Sequence, residues 1–435
     1  MRPLPRSPLA FSPLPAAGLA LAAALSLGAQ PAPTVTVSAR RALDLESGRF
    51  VLDPVIRIED GTITAVDTRR PGETVTHDLG DATLLPGLID CHTHLVGGEE
   101  LTPYEDLRET AARAAIEGVR NARVTVEAGF TTVRDLGSRD FADVALRDAI
   151  AAGRVVGPRM LVAVKSLSVT GGHGDLNALP SDVRVLRYSA IADGPEEILK
   201  KVRENVKYGA DWIKLLATGG VMSAGTDPRT ADYTEEEIRV AVVAAAARGR
   251  DVAVHAHGTE GIKRAARAGV RSIEHSSMLD DEAVALVKEK GVFLVPNPQT
   301  NAYMIERGPA GGYQDYQLAK GREVLGFKME SLRKAVKAGL LVAYGTDAGV
   351  QPHGLNAGQL GMYVEAGMSP LQALQSATLV AARLLRREDR LGRLARGYVG
   401  DVVAVRGNPL EDLRTVESPV FVMKDGRVVK DASRR

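Results

Sequence analysis

Residues 88–95 read Leu-Ile-Asp-Cys-His-Thr-His-Leu. The stretch is apolar up to Asp90 and then shows two histidines one residue apart. In a strand, residues i and i+2 point to the same side, so His92 and His94 would present two imidazoles to one spot. The chain has only 8 histidines among its 435 residues, and two of them end this apolar run. A pair of ordinary surface or core histidines explains an isolated His-x-His as well as a metal site does. The rest of the chain has to decide.

Outward from this stretch, roughly residues 87–395 alternate short apolar runs with helical segments. After LLPGLIDCHTHL (84–95) come GFTTVRDL (129–136), RMLVAVK (159–165), DWIKLLAT (211–218), RDVAVHAHG (250–258), GVRSIEHSS (269–277), GVFLVPN (291–297) and LLVAYGTDAG (340–349). Helical stretches lie between them. One is TEEEIRVAVVAAAARG (234–249), where Thr234 and Glu237 form a capping-box pattern. Eight β–α units in this span predict an α/β fold, a (β/α)8 TIM barrel with insertions. A doubly wound open sheet is the alternative, but the chain carries no GxGxxG phosphate loop to favour it.

Both flanks have a different texture. TVTVSARRALDL, VIRIEDGTITAV and VTHDLGDATLLPG, within residues 30–86, read as short strands with turns at Asp60-Gly61 and Gly80-Asp81. GDVVAVRGNP and PVFVMKDGRVVKD, within 396–435, read the same way, with an Asp425-Gly426 turn. Two β-rich ends therefore bracket the barrel, and a small β-sandwich built from both termini is expected.

Composition bounds the rest. Fifty-five Lys and Arg balance fifty-four Asp and Glu, which gives no electrostatic case for nucleic acid or acidic lipid. Cys91 is the only cysteine, so no intrachain disulfide can form. At the start, Arg2 and Arg6 precede AAGLALAAALSLG (16–28), then Ala29, Gln30 and Pro31. A basic start, an apolar stretch of about a dozen residues and small residues at its end predict a signal peptide over 1–29 and a secreted or periplasmic protein. The run is short for a transmembrane helix, so no membrane attachment is expected after cleavage.

In a barrel of this type, functional residues stand at the C-terminal ends of strands. There the runs place His92, His94, Lys214, His255, His257, His275 and Asp347. Imidazoles and a carboxylate are ligands that zinc or a similar divalent ion accepts. Lysine is the odd member, because an ammonium repels a metal. It fits if it has reacted with carbon dioxide to give a carbamate, whose two oxygens can bridge two ions.

The ordered set resembles the amidohydrolase superfamily, with HxH on strand one, Lys on strand four, His on strands five and six, and Asp on strand eight. PGLIDCHTHL (86–95), WIKLLATGGVMS (212–223), VAVHAHG (252–258), SIEHSS (272–277) and AYGTDAG (343–349) carry the likeness. Within the superfamily it is similar to the branch of Xaa-Pro dipeptidases, carboxypeptidase-like dipeptidases and ochratoxin-hydrolysing enzymes. The resemblance implies two divalent metal ions, zinc by expectation, and a CO2-derived carbamate on Lys214. It implies His92 and His94 on one ion, His255 and His275 on the other, and Asp347 as ligand and proton acceptor. The implied reaction is hydrolysis of a small-molecule amide, a dipeptide or N-acyl amino acid with a free C-terminal carboxylate, ochratoxin A included. A homo-oligomer is expected.

His173, in the Gly-rich SVTGGHGD (168–175), is expected at the substrate carbonyl or carboxylate. Tyr233 and His257 are expected to face substrate, with Arg229 as a charged reserve, and His353 could line the mouth. The connection 296–325, which contains PNPQTNAYMIERGPAGGYQDYQLAKG, reads as a long loop able to act as a lid. Two other readings stay open. One is a cyclic-amide hydrolase of the imidazolonepropionase type, which uses one metal and needs no strand-four carbamate. The other is a catalytically silent scaffold, which would lack part of the ligand set.

Overall fold

The computed structural model describes residues 34–97, 108–177, 179–180, 182 and 189–433. The stretch read as a signal peptide lies outside them.

Alternating apolar and polar residues with Asp-Gly turns make the sandwich. Pro54–Glu59 and Thr62–Thr68 form an antiparallel hairpin about Asp60 and Gly61, whose φ angles are 46° and 73°. Phe421–Lys424 and Arg427–Asp431 repeat this about Asp425 and Gly426, at 49° and 73°. Two successive positive φ values match the right-handed strand twist. Val402–Arg406 pairs with Phe421–Lys424 on one side and with Ala82–Pro86 on the other, so one six-stranded sheet draws on both ends of the chain. A four-stranded N-terminal sheet shares its core, through Val37, Ile56, Ile58, Ile63, Phe421 and Met423.

The parallel strands of the middle region are buried on both faces, because helices cover the outside and side chains fill the inside. Leu88–Thr93, Phe130–Asp135 and Arg159–Val162 pair in order. Trp212–Leu216, Asp251–Ala256, Ser272–His275 and Phe293–Val295 form a second parallel series. The third strand joins the two series. It breaks at Val164, a β-branched residue at φ 65°, and resumes as Ser166–Ser168 beside Trp212–Leu216. Helices such as Ala111–Glu127, Gly194–Lys207 and Glu235–Ala246 follow the strands, the last with the expected Thr234–Glu237 capping box.

Two expectations change. The eighth run is not a regular strand. Residues 341–348 still bond along both neighbours: Leu294 N to Leu341 O at 2.8 Å, Cys91 N to Tyr344 O at 2.8 Å and Asp347 N to His92 O at 2.7 Å. Regularity is lost because the Asp90 carboxylate takes the Thr346 amide and hydroxyl, and because Asp347 sits at φ 62°. The long connection after the seventh strand is helical rather than loop. Pro298 opens the helix Pro298–Arg307, and Gln314 with Gln317 caps the helix Asp315–Ala338. Turn residues in the sequence masked two helix starts, since proline suits a first helical turn. Among the described residues no helix is long and apolar enough to cross a membrane.

Candidate active site

The strand ends converge on a cavity of about 240 Å³. His92, His94, Lys214, His255, His257, His275, Asp347 and His173 all line it. Two sets of ligand atoms lie within 4.8 Å of one another: His92, His275 and Asp347, and His255, His257 and His275. The backbone is bent to aim them. His275 and Asp347 have φ of 68° and 62°, and Ser276 has 43°. Such left-handed non-glycine residues cluster where a side chain must be presented rather than packed.

The outer partners of the rings fix their protonation. His92 Nδ1 donates to Glu274 Oε2 at 3.0 Å, His94 Nδ1 to the Gly137 carbonyl at 3.1 Å and His275 Nδ1 to Asn297 Oδ1 at 2.8 Å. These partners are oxygen acceptors, so each Nδ1 carries the proton and each Nε2 presents a lone pair. His255 is reversed: its Nε2 faces the Gly219 carbonyl at 3.4 Å, which leaves Nδ1 as the lone pair. The Nε2 atoms of His92 and His94 both lie 3.3 Å from Asp347 Oδ1. Lone pairs and a carboxylate oxygen thus meet at one point, an arrangement suited to a cation. Burial, then the Lys214 charge, pulls His92 down to about 4, and burial pulls His173 down to about 4. Those two rings are therefore neutral at pH 7, whereas for His94 burial is outweighed by the Asp347 carboxylate, which moves the ring the other way, upward. Burial alone would raise Asp347, but its neighbours His92 and His94, both 3.3 Å away, outweigh it and hold the carboxyl well below the usual carboxylate range.

Lys214 differs from every other polar group here. It is 2% exposed and its Nζ has no hydrogen-bond partner. Burial pulls the ammonium down to about 8, so at pH 7 the group is mostly charged, with about a tenth present as free amine.

The expected substrate residues separate. His173 reaches the cavity, held by its Nδ1 to Ser223 Oγ at 2.8 Å, with its ring 4.5 Å from that of His255. It fits because position 220 is glycine: a Cβ there would stand 2.2 Å from the His173 ring. His257 also lines the cavity, with Nδ1 2.7 Å from Ser277 Oγ. Tyr233 does not reach it. Its side chain is fully buried and its hydroxyl donates to the Ala192 carbonyl at 3.0 Å, so its place is structural. Arg229 is half exposed and paired with Glu323 and Asp227 outside the cavity. His353 is buried between Thr125 Oγ1 and the His94 carbonyl, behind the site.

The structure adds residues that sequence reading missed. Glu274 and the fully buried Arg134 pair at 2.8 Å, and Arg134 also bonds Ser272 Oγ and the Cys91 carbonyl. A carboxylate behind a ligating histidine orients the ring and raises its basicity. The signal was in plain view, a glutamate directly before His275 in a strand. Lys328 lines the cavity from the helix Asp315–Ala338. Its signal is the buried stripe Val324, Lys328, Ser331, Ala335, a lysine at helical spacing among small and apolar residues.

The chain matches the model of the amidohydrolase family over residues 83–429. It is 36% identical over 370 residues to an ochratoxinase of Aspergillus niger, covering 80% of this chain and 75% of that protein. The crystal structure of the A. niger ochratoxinase superposes with a TM-score of 0.81 at 31% identity, covering 92% of this chain and 96% of that one. A Xaa-Pro dipeptidase with methionine bound in its active site superposes with a TM-score of 0.86 at 36% identity, covering 91% of this chain and 99% of the other. A prolidase complexed with N-methylphosphonate-L-proline gives 0.85 at 33% identity, covering 92% and 100%. With the ligand pattern, the barrel and these likenesses in agreement, the chain belongs to the amidohydrolase family, hydrolases that act on amide bonds.

Proposed function

We propose that this protein is a binuclear metal-dependent hydrolase that splits the amide bond of dipeptides or N-acyl amino acids carrying a free C-terminal carboxylate. The observation that carries the reading is the Lys214 amine, buried without a partner among the lone pairs of the histidines. A plain lysine there is an uncompensated buried cation beside a cation site, a costly arrangement. A carbamate on the same nitrogen turns it into an anion with two oxygens and makes the set complete. His92, His94, Asp347, His255 and His275 would hold the ions with it. The ions, when bound, acidify water and polarise a carbonyl.

The protein's own groups do the rest. Asp347, kept ionised, takes the proton of the attacking water and returns it to the leaving nitrogen, which departs poorly as an anion. His173 is set by Ser223 to direct Nε2 into the cavity, where it can donate to the scissile carbonyl oxygen. Glu274 and Asn297 keep His92 and His275 from rotating. Leu216, Val221, Met222 and Met304 form an apolar wall suited to an acyl group or an apolar side chain. Similarity to an ochratoxinase and to Xaa-Pro dipeptidases supports this class of substrate.

The test is metal analysis joined to a substrate panel. Zinc-loaded protein is offered N-acyl amino acids, Xaa-Pro, Xaa-Arg, Xaa-Phe and ochratoxin A. Close to two metals per chain, with turnover of one of these amides, is expected. One metal per chain would favour the imidazolonepropionase type, and none, with no turnover, the silent scaffold.

A further inference from the structure

Two lysines line the cavity, and only one belongs to the presumed ligand set. Lys328 is 1% exposed. Its Nζ donates to Asn301 Oδ1 at 2.5 Å and to the Asn297 carbonyl at 3.2 Å. An ammonium has three N–H donors, so one is left over on a side chain that lines the cavity. Both known partners are neutral oxygens. Among the described residues no carboxylate lies at ion-pair distance from Lys328; Asp347, the acid of the cavity, is engaged by His92 and His94. A sealed cation facing neutral oxygens is costly unless an anion completes it.

We propose that Lys328, steadied by Asn301, is the subsite that binds the carboxylate of the leaving amino acid. The inference rests on the amide-hydrolase reading above and gives it a specificity residue. Once Lys214 carries a carbamate, Lys328 is the one ammonium left among the described residues lining the cavity. The other basic candidates are spent elsewhere. Arg229 pairs with Glu323 at the surface, and Lys320 donates to the Gly220 and Ser223 carbonyls. His257 lines the same cavity, with its Nδ1 at 2.7 Å from Ser277 Oγ. Burial holds Lys328 at about 7, so an entering anion would restore its full charge.

The experiment compares kcat/KM for one N-acyl amino acid and its C-terminal amide in wild type and in Lys328→Met, with inhibition by the free product amino acid measured alongside. Wild type should prefer the acid. In Lys328→Met that preference should collapse by about ten- to a thousandfold, chiefly through KM, and product inhibition should weaken in step. Should Lys328→Met fail to fold, Asn301→Ala gives the same test, with a smaller loss of preference expected. A variant that slows on both substrates alike, with the acid-to-amide ratio kept, overturns the subsite: Lys328 would then act only through Asn297, and the amide-hydrolase reading would stand. Wild type that hydrolyses neither compound nor any other amide of the panel removes the reading, and the subsite with it.

Discussion

The barrel holds buried charges in two regions that are built differently. Away from the cavity, Arg134 is fully buried and each of its three nitrogens is engaged: Glu274 Oε1 at 2.8 Å, Ser272 Oγ at 2.9 Å and the Cys91 carbonyl at 2.6 Å, with the Trp212 ring at 4.6 Å. At the mouth, Lys214 is as deeply buried and has no partner. Both regions would be equally expensive if left unsatisfied. Evolution of a stable interior explains the first, where each guanidinium nitrogen meets an acceptor. The second is left without a protein partner at Lys214 Nζ, the place where the proposed carbamate would stand. The contrast teaches where to look for function: not at buried charge as such, but at buried charge whose partners the chain does not provide.

The largest effect that sharpens this contrast is expected at Lys214. Lys214→Ala should abolish hydrolysis and lower metal content while the protein keeps a cooperative thermal transition, because no native hydrogen bond is lost. Short carboxylic acids should restore part of the activity by occupying the vacated space. Wild-type activity and metal content in Lys214→Ala would erase the difference between the two regions.

Glu274→Gln should act the other way, on stability first. It removes the one carboxylate that balances Arg134, at a cost of about 3–5 kcal/mol. It should also weaken metal binding by roughly ten- to a hundredfold through loss of the His92 partner. The pH sign can be worked out. Burial would raise Glu274, but the Arg134 charge and the His92 bond carry it down from 4.5 to about 2. A carboxyl depressed in the folded state stabilises above its unfolded value and loses that contribution as pH falls through the folded one. The gap between wild type and Glu274→Gln should therefore be full above about pH 5 and shrink toward pH 2. Urea unfolding at several pH values reads this, and a gap that widened on acidification would contradict it.

Tyr233→Phe should give the smallest effect. The hydroxyl serves only the Ala192 carbonyl, so the cost is about 1 kcal/mol of stability. Substrate KM should stay as in wild type. A marked rise in KM would return Tyr233 to the site from which its burial removes it.

Much of the site was legible because metal chemistry narrows the choice of residue and a barrel narrows the place. His92 and His94 at one strand end, and Lys214, His255, His275 and Asp347 at others, needed only strand order to be brought together. Tyr233 was misread because nearness in sequence to a ligand strand says nothing about direction: the chain turns it inward, toward Ala192. Lys328 was missed for the opposite reason. It lies 114 residues from Lys214 by their numbers in the chain, on a helix read in part as loop, and its spacing among apolar residues marks it as buried without saying what it faces. The eighth run looked like a strand by composition, but Asp90 captures the amide of Thr346 and spoils its ladder, a contact between residues 256 positions apart.

The sequence by itself determined the alternation of strands and helices, the β-rich ends and the types of ligand, because periodicity, turn chemistry and donor atoms are local properties. Only the tertiary structure decided which nitrogen of each histidine faces the cavity, which lysine is satisfied and which is not, and which aromatic stays in the core. Those depend on what stands opposite a side chain once the barrel closes, and a carbonyl, a carboxylate or an empty space across a few ångströms is not written in the order of residues.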